Sequence, residues 1–205
     1  DGLNSGDIPE FAILYMGEVI QVNEYPQFTG YVTHGMEQIT DATFGPEPIS
    51  FSIASGWNMV GFTGCEITPI DVAFEGALEN GSSLSETFEI IKDVKGRMWT
   101  PILGDNSPLT HLVPGEGYLM KVKSGEENIV TFSEEYCNDI TYQLNSGWNM
   151  VGFTGSEIAP IESSINEALS SGDILSTFII IKDIYGAFWT QSFINLSPLN
   201  PGQGY

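Results

Sequence analysis

Apolar and polar side chains alternate through "ISFSIASGWNMVGF" (Ile49–Phe62), and Ser55-Gly56 interrupts the alternation. A period of two marks a half-buried strand, so this stretch predicts a strand, a tight turn and a second strand. The period then lengthens. In "TPIDVAFEGALENG" the residues Ile70, Ala73, Phe74, Ala77 and Leu78 share one face at helical spacing, predicting a short helix near Pro69–Glu79. Thr68 is placed as its N-cap, Pro69 at the first helical position, Asp71 at a capping-box-like spacing and Gly81 as its stop. "TFEIIKDVKGRMWTPI" returns to strand spacing and reads as a hairpin whose turn ends at Gly96, where positive φ favours glycine. "GYLMKVKS" and "NIVTFS" read as two closing strands.

The whole series is written twice. "SGWNMVGFTG" occurs at Ser55–Gly64 and, letter for letter, at Ser146–Gly155, a separation of 91 residues. "EITPIDVAFEGALENG" then matches "EIAPIESSINEALSSG", "TFEIIKDVKGRMWT" matches "TFIIIKDIYGAFWT", and "PGEGY" matches "PGQGY" at the very end of the sequence. Self-similarity sustained over about 90 residues is the mark of a tandem folding unit. The second copy keeps the apolar helix face as Ile161, Ile165, Ala168 and Leu169, predicting a helix near Pro160–Ser170, while its outer positions drift. That is the signature of packing.

These patterns predict a mainly β protein of α+β type, with two tandem modules, each a β-sheet with one short helix. The modules span residues 48–137 and 138–205, and a partial β-domain precedes them at residues 1–47. Within that first segment "EFAILYM", "EVIQVN" and "FTGYVTHG" are strand-like, with a turn at Gly17. The second module stops at Tyr205, where the first continues into "LMKVKS" and "NIVTFS". A sheet short of those strands would have an open edge, a liability that proteins usually cover. The expectation is therefore that further sequence, or a neighbour's strand, completes it.

"SGWNMVGF", "IIKDVKGRMW" and "PGEGYLMKV" in that order resemble a repeat module common in large secreted and cell-surface proteins of bacteria, notably Bacteroidetes-type ones. That module reads like "GWNLIS … IKN-x-x-G-x-x-Y/W … G-x-L-x-P-G-x-G-Y-x-I/V". "DGLNSGDIPEFAIL" likewise resembles the "DGF-x-x-GD-x-x-x-F-x-I" segment that often precedes it. The resemblance covers most of the chain and implies an extracellular setting: cell surface, secreted appendage or virion. It brings no catalytic residues.

Charge narrows the partners. The chain carries 27 acidic residues against six Lys and Arg, a net of −21, spread over all three segments. Such a surface repels phosphate backbones and anionic lipid, which argues against nucleic acid and membrane. No apolar run approaches the roughly 20 residues of a membrane span.

The candidate chemistry is sparse. His34 and His111 are isolated, with no counterpart in the second module. There is no "GxSxG" nucleophile elbow, and the carboxylate pairs are what so acidic a chain produces by chance. No cofactor is required; calcium at the oxygen-rich "DGLNSGD" through Asp1 and Asp7 is a candidate, without the full calcium loop. Cys65 and Cys137 form one candidate disulfide, the alternative being two inert thiols. The tryptophans fall in register, Trp57 with Trp148 and Trp99 with Trp189. They could offer a sugar-stacking platform, but their strand positions favour a place in each core.

The expectation is a non-enzymatic extracellular structural or adhesive protein of tandem β-modules, part of a longer surface protein, filament or fibre. Its partners would be neighbouring modules, copies of itself, or surface glycans. The alternative is a carbohydrate-binding accessory module of a secreted enzyme.

Overall fold

The computed structural model describes the strands at 12–15, 18–24 and 43–44, and residues 49–205 except 126, 133–139, 142 and 197. The chain forms two compact units, Asp1–Glu47 and Pro48–Tyr205. In the first, β1 (Ala12–Tyr15), β2 (Glu18–Glu24) and β3 (Thr43–Phe44) make an antiparallel sheet in that order. The expected Gly17 turn and the "FTGYVTHG" strand lie outside the described residues.

The second unit holds both modules, and its described residues are mainly β with four short α-helices. In the first module β5 (Gly56–Gly61), β7 (Phe88–Lys92), β8 (Met98–Trp99) and β10 (Gly117–Val122) form one antiparallel sheet in the order β5-β10-β7-β8. β4 (Ser50–Ile53) pairs with β11 (Asn128–Thr131), and β6 (Thr68–Pro69) with β9 (His111–Leu112). The expected hairpin around Gly96 is β7 and β8, with Ile91 opposite Trp99 and Gly96 at φ 80°.

The stretch 49–62 does not close on itself as a hairpin. β4 and β5 do form, but each pairs with a different distant strand, β4 with β11 and β5 with β10. The reason is the corner between them. Gly56 sits at φ 94°, and Asn58 clamps the bend, accepting from Ala54 N–H at 3.1 Å and donating to the Ala54 carbonyl at 2.7 Å. Across the ribbon, Ser55 Oγ donates to the Lys123 carbonyl and accepts from Gly125 N–H, so both strands turn together.

The first helix is shorter than its apolar spacing predicts. α1 covers only Ile70–Ala73, begins after Pro69, and has no side-chain cap. Thr68, placed as N-cap by the sequence, lies in β6 and donates its hydroxyl to the Glu66 carbonyl, while Thr110 O accepts from Ile70 N–H. Beyond Ala73 the chain turns, with Gly76 at φ 73°, and Leu78 bridges to Val130 of β11. Ile70, Ala73, Phe74, Ala77 and Leu78 are nevertheless all buried. Glutamate replaces that glycine at Glu167 in the second module, and α3 continues through Ile161–Ala168. Glycine costs about 1 kcal/mol relative to alanine inside a helix, so this substitution favours the longer form.

Each module also has a second helical turn that the apolar period does not reveal, α2 (Leu84–Thr87) and α4 (Ile174–Thr177). Both start from reciprocal capping: Ser83 with Glu86, and Asp173 with Ser176. β12 (Ile181–Lys182) and β13 (Phe188–Trp189) repeat the β7–β8 hairpin. The cores differ in size. The first packs Phe62, Phe74, Phe88, Tyr118 and their neighbours, joined by Phe132. The second gathers Ile161, Ile174, Ile181, Trp189, Leu196 and Leu199.

Candidate functional site

In the decamer shared by the modules, the glycines, the asparagine and the Met-Val pair each have a mechanical task. Asn149 clamps its corner as Asn58 does, accepting from Asn145 N–H at 2.9 Å and donating to the Asn145 carbonyl at 2.8 Å. Gly147, at φ 100°, makes the same bend as Gly56. Gly64 and Gly155 lie flat against the rings of Phe62 and Phe153, where a Cβ would collide with the ring.

Met59, Val60 and Gly61, with their counterparts Met150, Val151 and Gly152, join the two modules. Gly61 N–H donates to Gly202 O at 2.9 Å, and in the counterpart contact Gly152 N–H donates to Gly115 O at 2.8 Å. Gly204 N–H donates to Met59 O at 2.9 Å, answered by Gly117 N–H to Met150 O at 2.8 Å. Val60 bridges Gln203, and Val151 bridges Glu116. Each contact is matched by its exchange partner, as across a two-fold axis in an isologous dimer. Gly61 and Gly152 meet backbone to backbone at the centre: a Cβ built on either would stand 2.4 Å from the other's Cα, closer than van der Waals contact allows. The decamer and the "PG-x-GY" motif are thus the two halves of one junction.

Two tyrosines brace the same motif. Tyr118 Oη accepts from Val113 N–H at 2.8 Å, and Tyr205 Oη accepts from Asn200 N–H at 2.9 Å. Burial pushes both phenols above their ordinary pKa, with the backbone hydrogen bonds opposing it, so both stay neutral donors and acceptors at physiological pH.

The tryptophans divide into two classes. Trp99 and Trp189 are core residues, 6 % and 0 % exposed, and Trp189 Nε1 donates to Glu162 at 3.0 Å. Neither presents a face for sugar stacking. Trp57 and Trp148 depart from the core placement favoured by their pattern: they are 41 % and 65 % exposed. The Nζ atoms of Lys92 and Lys182 stand 5.0 and 5.1 Å from their respective ring centroids, a repeated cation–π pair. The signal for this exposure is in the strand pattern: Trp57 and Met59 alternate with Asn58 and Val60, and the inward side belongs to the latter pair.

Asp1, Asp7, Cys137 and His34 lie outside the described residues, so neither the calcium candidate nor the Cys65–Cys137 pairing is placed by the structure. His111 is exposed beside Thr110. Among the described residues no group of three or more His, Cys, Asp or Glu side chains could hold a metal ion, and no helix is long and apolar enough to cross a membrane.

A cavity of about 1430 Å³ opens beside the second module. Trp148, Asn149 and Met150 line one side, Ile180–Lys182 another, and Ile165 and Leu169 of the α3 region a third. Comparison of the chain with protein-family models, with curated proteins and with solved structures finds no match.

Proposed function

We propose that this chain is a non-enzymatic structural or adhesive protein of the extracellular space, in which β-modules are coupled in tandem. The observation that supports this reading is the reciprocal junction. Apart from the exposed Trp57 and Trp148, most residues of the shared decamer are used in corners, packing and main-chain pairing. Such coupling transmits load and orientation from one module to the next through backbone hydrogen bonds, as a building element requires. The acidic surface fits a protein that works in a salt-screened medium and stays soluble there.

One observation favours a second reading. The exposed Trp57 and Trp148, each beside a lysine, have the chemistry of a carbohydrate-stacking surface. A glycan array probed with the chain and with a Trp57→Ala, Trp148→Ala variant separates the two. The structural reading expects no saturable glycan signal. A signal abolished by the double substitution would instead establish the carbohydrate-binding module.

A further inference from the structure

The junction takes the same set of groups from each module. The first gives the N–H of Gly61 and Gly117 and the carbonyls of Met59 and Gly115, and the second gives their four equivalents. Within each module the two segments are already paired, Gly61 with Gly117 and Gly152 with Gly204. Four short segments therefore close a ring, with Gly61 against Gly152 at its centre. Among the residues that pair across it, one position differs: Glu116 stands where the second module has Gln203. Each of these side chains is held by its own module's tyrosine, Tyr118 Oη donating to Glu116 at 3.2 Å and Tyr205 Oη to Gln203 at 3.3 Å. Their backbones make the same contacts, Glu116 bridging Val151 and Gln203 bridging Val60. A surface that meets its equivalent around a two-fold axis is complementary to a copy of itself.

We propose that the junction surface of the first module binds the same surface of a second copy of this chain. This deepens the structural reading and rests on it. The pair between chains keeps the four junction hydrogen bonds: Gly61 N–H to Gly115 O and Gly117 N–H to Met59 O, each made twice. At its centre Gly61 meets Gly61, and neither brings a Cβ. In the parent chain the second module holds this surface, since a tethered partner acts at an effective concentration on the order of millimolar. Displacing that module frees the surface, and one junction then joins two chains. Because the contact is isologous it is saturated by a single partner, so association stops at the pair. The glycines at the centre control the choice. Beyond their own chain neighbours, the nearest atoms to a Cβ on Gly61 or Gly152 all belong to the other module. A side chain there opposes the junction without touching the packing of the module that carries it.

The test is sedimentation equilibrium of the full chain carrying Gly152→Val, alone and together with Gly61→Val. The single substitution evicts the second module and leaves the first module's surface intact. The double substitution closes that surface as well. Gly152→Val is expected to form a dimer and no larger species, with a Kd at least about tenfold below that of the double variant. Gly152→Ala adds the colliding atom alone and repeats the test with the least added volume. Amide exchange reads the contact itself. In Gly152→Val the Gly61 and Gly117 amides should be protected where the dimer forms and lose protection on dilution, while that of Met120 stays protected throughout. Single variants that remain monomeric, a double variant that dimerises as tightly, or a dimer with Gly61 and Gly117 unprotected would each overturn the proposal. The glycan array is read on the parent junction and is unaffected by these outcomes, so failure of the pair and failure of the structural reading remain distinguishable.

Discussion

Replacing Gly61 by valine is expected to force the two modules apart. The position is extended backbone facing extended backbone: the new Cβ meets Gly152 Cα and carbonyl carbon on one side and the Gln203 carbonyl oxygen on the other. None of these is a side-chain end that could swing away. The cost should therefore reach or exceed the upper end of the about 1–3 kcal/mol usual for overpacking. Because the junction is reciprocal, Gly152→Val should cost about the same, although it lies 91 residues away in sequence. The double variant should cost clearly less than the sum of the two, since both changes break one contact. Chemical denaturation of the three variants measures this. Val72→Ala, at an exposed position, serves as a control within about 0.5 kcal/mol of the parent.

The second large effect is expected at Trp189. Its side chain is fully buried, with its indole N–H held by Glu162, and it is the largest residue of a small core. Trp189→Ala should cost about 3–5 kcal/mol, the range for removing a large buried aromatic. The first module can lose Trp99 and still keep Phe62, Phe74, Phe88 and Tyr118 packed together. Trp189→Ala, by contrast, should unfold the second module while the first remains native. Two separate transitions in the unfolding curve of Trp189→Ala, against a lesser shift for Trp99→Ala, would show it.

The sequence was legible wherever one period or one repeat governed the outcome. The buried face Ile70, Ala73, Phe74, Ala77 and Leu78 was readable from spacing, even though the helix that was to carry it stops after one turn. The stop was misplaced: the pattern put it at Gly81, whereas α1 ends at Ala73 ahead of Gly76 at φ 73°, and α3, with Glu167 in that place, runs longer. The turns at Gly56 and Gly96 were readable because glycine marks positive φ. Pairing was not. β4 and β5 are adjacent in sequence and look like a hairpin, but local alternation fixes a strand's faces and leaves its partner open. The short helices α2 and α4 escaped because four residues carry no period, although "SLSE" at Ser83–Glu86 spells a capping box. The junction was half visible. Ten identical residues declared a common constraint, but only the exchange of "GWNMVG" with "PG-x-GY" across the modules shows what the constraint is.

Hydrogen exchange at four glycine amides tests the central claim most directly. Gly61, Gly117, Gly152 and Gly204 each donate across the junction, and none of these bonds exists within a single module. If the modules are coupled as described, all four amides are protected and open with one common free energy, as a single cooperative unit. If those four exchange at the rates of unprotected amides while Tyr118 and Met120 stay protected, the modules fold independently and the reciprocal junction does not exist.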